Sequence, residues 1–121
     1  MIAEGQIVLF RFPQTDLTDG KLRPALVLRR VPSPYDDWLV CMVSSRSQQA
    51  LPGLDEVIRE ADPDFPQTGL KTSSVVRVTR VAVVSTGRLA GGLGHIGPNR
   101  LQGIRERLAD WITVGTTRST L

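Results

Sequence analysis

Apolar side chains fall along this chain in short runs, at residues 7–12, 25–31, 38–43, 56–59, 75–78 and 81–85. Turn formers such as Pro, Gly, Asp and Ser separate them, so the runs have the length and the boundaries of strands. The segment Glu60-Ala-Asp-Pro-Asp-Phe-Pro66 reads as an exposed connection. The period changes after Pro98, a residue suited to a first helical turn. Leu101, Ile104, Leu108, Trp111 and Ile112 then share one helical face. That spacing places Trp111 in the buried stripe, with Gly115 as the stop and residues 116–121 as a flexible polar tail. Short strands packed under one late amphipathic helix predict a mainly β fold, a small and strongly bent antiparallel barrel or sheet.

A length of 121 residues suits one core, here expected over residues 1–115. No apolar run approaches the roughly 18 residues of a membrane helix, and the N-terminus has no charged-then-apolar leader; a cytoplasmic protein is expected, without a membrane partner. Cys41, the single cysteine, lies inside an apolar run and reads as a buried, inert thiol. His95, the single histidine, sits in a Gly-rich turn with no cysteine or carboxylate at ligand spacing, so no metal site and no cofactor is expected. The formal charge is +3, and the 15 cations are 13 arginines and two lysines. Arginine suits phosphate and base edges, although a GC-rich genome produces the same bias. Aromatic residues make up only 5% of the chain, which argues against a base-stacking platform. The acidic run at 55–64 reads as a solvated face that repels phosphate.

Candidate chemistry begins at Arg23-Pro24. Proline restricts the preceding backbone to extended conformations, so the Arg23 guanidinium leaves the strand in a narrow range of directions. A pre-aimed, permanently charged fork suits a phosphate. Taken alone, Arg23 reads first as a partner of an acidic neighbour at a sheet edge, and only the wider motif reverses that. Ser44 and Ser45 close the third run and Arg77 lies within the fifth, where a structural ion pair is an equal alternative.

The pattern from Gly5-Gln-Ile-Val-Leu through Thr15-Asp-Leu, Gly20-Lys-Leu-Arg-Pro-Ala-Leu-Val-Leu28 resembles the opening of the MazF/PemK family of toxin endoribonucleases. The resemblance continues in order through Val40-Cys-Met-Val-Ser-Ser-Arg46, Gly69-Leu-Lys-Thr-Ser-Ser-Val-Val-Arg77 and the segment 96–108. It implies an SH3-like barrel of the CcdB/MazF/Kid type, usually a homodimer, and a sequence-selective, metal-independent endoribonuclease of single-stranded RNA. It also implies a cognate antitoxin whose C-terminal segment covers the RNA site, and a toxin–antitoxin complex that binds its own promoter DNA.

By matching position, Arg23 corresponds to the family's catalytic Arg, Ser44 to a catalytic Thr, and Arg77 to a proton donor or phosphate clamp of the PemK-like branch. Thr15, Asp16, Asp19, Lys21, Ser45, Arg46 and Thr79 are the implied RNA contacts. Thr79 stands where that branch has an Asp, and Leu17 and Thr18 where some members have His or Glu. The proton acceptor is therefore unassigned, with Asp16 and Asp19 as candidates. Two other readings stay open: a barrel that binds RNA or protein without catalysis, and a toxin acting on a protein, like the topoisomerase-poisoning barrels. The endonuclease reading requires Arg23, Ser44 and Arg77 to converge on one cavity.

Overall fold

The apolar runs lack strict polar alternation because both faces of the sheet they form are covered. A computed structural model of the chain describes residues 2–11 and 21–114. Its strands are β1 (Gln6–Arg11), β2 (Leu22–Arg30), β3 (Asp37–Ser44), β4 (Glu56–Ile58), β5 (Ser74–Ser85) and β6 (Gly91–His95). They form one antiparallel sheet in the order β4-β5-β3-β2-β1-β6, curled into a half-barrel. Two helices accompany it, α1 (Phe65–Thr68) and α2 (Pro98–Thr113).

Neighbouring residues of one strand enter opposite cores. Ile7, Leu26, Leu28, Cys41, Val43, Val76 and Val78 pack with Leu101, Ile104 and Leu108 of α2. Val8, Phe10, Ala25, Val27, Trp38, Val40 and Val84 fill the other face. Each fully buried Ile, Leu or Val contributes roughly 1.5–3 kcal/mol. Cys41 is fully buried, and loss of solvation pushes its thiol up to about 12, which makes it inert.

The structure differs from the sequence reading in five places. Runs 75–78 and 81–85 are one strand, β5: Met42 pairs with Arg77 and Cys41 with Val81, so a bulge absorbs the polar residues between them. The glycine-rich segment holding His95 is a strand, β6, antiparallel to β1. Glycine is required there, because a Cβ on Gly94 would stand 2.1 Å from the Gln67 carbonyl oxygen. Trp111 and Ile112 are 44% and 67% exposed rather than buried; helical spacing fixes which face they share, but not how far the surface beneath extends. The acidic run is not a solvated face. Arg100 binds Asp64 (Nε–Oδ2 2.9 Å), Asp62 (2.9 Å) and Glu56 (2.7 Å), Arg107 also binds Glu56, and Arg77 binds Asp55. Finally, a single helical turn, α1, interrupts the connection before β5. The Gly115 stop and the tail lie outside the described residues.

Candidate active site

The strand register brings two of the predicted residues side by side. Ala25 pairs with Met42, and the same register continued by two residues sets Arg23 opposite Ser44. Paired residues share a face, so both sit on the face of Phe10, which pairs with Arg23, and of Val75, which pairs with Ser44. Arg77 pairs with Met42, one row further along the same face.

At the end of the sheet where β2 begins and β3 ends lies a cavity of about 470 Å³. It is lined by Leu9, Leu22, Pro24, Val43, Leu70 and Leu93 and by the polar residues Arg23, Ser44, Ser45, Lys71, Thr72 and Ser74. Arg23 and Ser44 alternate with Pro24 and Val43 along their strands, so their side chains leave this end of the sheet from its other face. The sheet forms one wall. The other is the segment 69–72, which crosses from the start of β5 towards β6. That crossing is tight: Gly69 has φ +74°, and a Cβ there would stand 2.1 Å from the Leu93 carbonyl oxygen. Thr68, fully buried, fixes the turn by donating its hydroxyl to the Phe65 carbonyl (2.7 Å) and accepting from the Leu70 N–H (3.1 Å).

The hydroxyls in the cavity are not equivalent. Ser74 donates to the Thr72 carbonyl (2.9 Å), and Thr72 donates to Glu60 Oε2 (3.2 Å). Ser44 Oγ instead accepts from the Arg46 backbone N–H (3.1 Å). That contact orients the oxygen and leaves its hydrogen free to donate to an incoming group. Arg23 and Lys71 are both exposed and have no carboxylate partner among the described residues. Two cations without a carboxylate partner among the described residues and a hydroxyl without an acceptor among them can hold a phosphate, while the apolar lining can hold a base or sugar face.

Arg77 does not line this cavity. Its Nε lies 3.6 Å from Asp55 Oδ2. Asp55 is itself fixed, accepting from the backbone N–H groups of Val78 and Leu51 at 3.0 Å each. Of the other predicted contacts, Ser45 lines the cavity, while Lys21, Arg46 and Thr79 do not. Thr15, Asp16 and Asp19 lie outside the described residues. The sequence reading missed Lys71, Thr72 and Ser74, all inside a segment it had singled out. The available signal was Lys71 itself, one of two lysines among thirteen arginines, just after a left-handed glycine turn.

Residues 3–112 match the family described as PemK-like, MazF-like toxin of type II toxin-antitoxin system. No curated protein sequence matches the chain. Among solved structures, it is similar to MazF from Deinococcus radiodurans, with 25% identity, TM-score 0.65, and 90% of this chain and 94% of that one covered. It is similar to the toxin MazF-mt6 of Mycobacterium tuberculosis at 16% identity and TM-score 0.64, covering 88% and 95%. It is also similar to an endoribonuclease in complex with its cognate antitoxin from a mycobacterial species, at 15% identity and TM-score 0.65, covering 93% and 95%.

Proposed function

The chain belongs to the PemK-like, MazF-like toxins of type II toxin–antitoxin systems, and from that premise we propose that it is a metal-independent endoribonuclease acting on single-stranded RNA. The observation that carries this reading is the register that sets Arg23, which has no carboxylate partner among the described residues, opposite Ser44, whose hydroxyl hydrogen meets no acceptor among them, both at the lining of one cavity. In the proposed reaction the ribose 2′-oxygen attacks the neighbouring phosphorus and loses its proton. The P–O5′ bond breaks, the 5′-oxygen takes up a proton, and a 2′,3′-cyclic phosphate remains. Charge builds on the non-bridging oxygens, where Arg23 and the Ser44 hydroxyl act as fixed donors. Arg77 stands outside that cavity, so the expected convergence of three groups is met by two of them; one row away with its Nε turned to Asp55, it belongs to the proposal only as a clamp on the same sheet face as Arg23 and Ser44. Dependence on the 2′-OH would make RNA, not DNA, the substrate.

Purified protein is expected to cut single-stranded RNA in excess EDTA and to leave cyclic phosphate ends. Arg23→Ala is expected to slow cleavage by about 100- to 1000-fold. Cleavage by this variant at the wild-type rate would remove Arg23 from the mechanism. A second reading, an RNA-holding barrel without catalysis, is favoured by one fact: no carboxylate or imidazole among the described residues lines the cavity. It would leave bound RNA intact in the same assay. As partners we propose a cognate antitoxin, whose acidic and apolar groups would cover the two cations and the apolar lining. We also propose a second copy of the chain, consistent with the exposed Val81, Val83, Trp111 and Ile112.

A further inference from the structure

The RNA reading assigns one cation to the scissile phosphate and leaves a second one in the same cavity without a task. We propose that Lys71 grips the phosphate next to the scissile one and so sets the position of the strand across the cavity; this rests on the RNA reading above. Three observations converge on it.

Lys71 lines the cavity from the wall that faces the sheet, whereas Arg23 and Ser44 belong to the sheet itself. Both cations therefore stand at the same end of the sheet, on opposite sides of the lining they share.

The backbone on either side of Lys71 is pinned. Leu70 N–H donates to Thr68 Oγ1 (3.1 Å), Thr72 Oγ1 donates to Glu60 (3.2 Å), the Glu60 N–H donates to Ser73 Oγ (3.0 Å), and Ser74 Oγ donates to the Thr72 carbonyl (2.9 Å). Gly69 against Leu93 fixes the root of the segment. A charge on a rigid support loses less conformational freedom on binding than one on a mobile loop.

The third observation is charge compensation. Arg77, Arg100, Arg105 and Arg107 all have carboxylate partners, while Lys71 has none among the described residues. A lysine also suits this task, because a flexible point charge can follow a phosphate that does not react, without imposing the bidentate geometry of arginine.

The test uses the full chain and a short single-stranded RNA, with a 2′-deoxy substitution at the cleavage site for binding and an unmodified copy for cleavage. Lys71→Gln is expected to weaken binding roughly five- to tenfold at about 0.1 M salt. The slope of log affinity against log salt should become shallower by about 0.7, the share of one phosphate on a single strand. The cleavage defect should fall on KM rather than on kcat, and Lys71→Arg should restore most of the affinity. Wild-type cleavage combined with a Lys71→Gln protein of unchanged KM and salt slope would overturn this inference alone, as would a defect confined to kcat. Wild-type protein that neither binds nor cuts RNA would overturn the functional reading and this inference with it.

Discussion

A hydroxyl can donate to a substrate only if its hydrogen is not already engaged, and this separates Ser44 from Thr72 and Ser74. Ser74 and Thr72 point their hydrogens at protein acceptors, whereas Ser44 receives one from the Arg46 amide. Ser44→Thr, which keeps the hydroxyl, is expected to retain cleavage within about tenfold, and Ser44→Ala to lose on the order of 100-fold. Single-turnover rates at saturating RNA would check this; equal rates for wild type and the alanine variant would rule out the donor role. The strand-end positions of Arg23 and Ser44 were legible because each is marked by a local signal, Pro24 in one case and a serine pair in the other. The partner of Arg77 was not. Asp55 reaches it only through the pairing of β4 with β5 and the turn before β4, and no local pattern encodes that meeting. Lys71 was hidden for the same reason, since its value comes from the wall it stands on.

Between elements, the main polar tie is Arg100 of α2, which holds β4 through Glu56 and the segment between β4 and α1 through Asp62 and Asp64. Its hydrogen bonds to Asp64 outweigh the cost of burial and, with the Gly97 N–H, hold that carboxyl below its ordinary value of 3.8. A depressed carboxylate contributes stability that is complete above the ordinary value and is lost as pH falls through the depressed one. Asp64→Asn is therefore expected to lower the thermal midpoint at pH 7 and to flatten its fall below pH 4. Thermal melts of both proteins between pH 2 and 7 would show it, and parallel curves would contradict it. The strands buried on both faces were readable from their continuous apolar runs. β6 was not, because Gly91, Gly92 and Gly94 look like a turn, and the close approach of Gln67 that requires Gly94 is a tertiary fact. The break read between residues 78 and 81 failed similarly, because polar residues mark a bulge as readily as a turn.

At the scale of the molecule, apolar surface remains uncovered. Val81 and Val83 of β5 and Trp111 and Ile112 of α2 are between 43% and 67% exposed. β4 pairs only with Ser74–Val76, so the rest of β5 has one edge without a strand partner among the described residues. Such surface is usual where another chain packs. Light scattering is expected to give the mass of two chains, and Val83→Glu to shift it towards one; a monomeric wild type would exclude self-association. Among the described residues no helix is long and apolar enough to cross a membrane.

β6 is the last strand in the sequence, yet its partner is the first, and it supplies Leu93 to the cavity. A nascent chain emerging from the ribosome as far as Arg88 already carries Arg23 and Ser44. It still has a bare β1 edge and an unfinished pocket. Closing that long loop is the slow kind of step in folding, so the groups proposed to cut RNA are synthesised early and enclosed late.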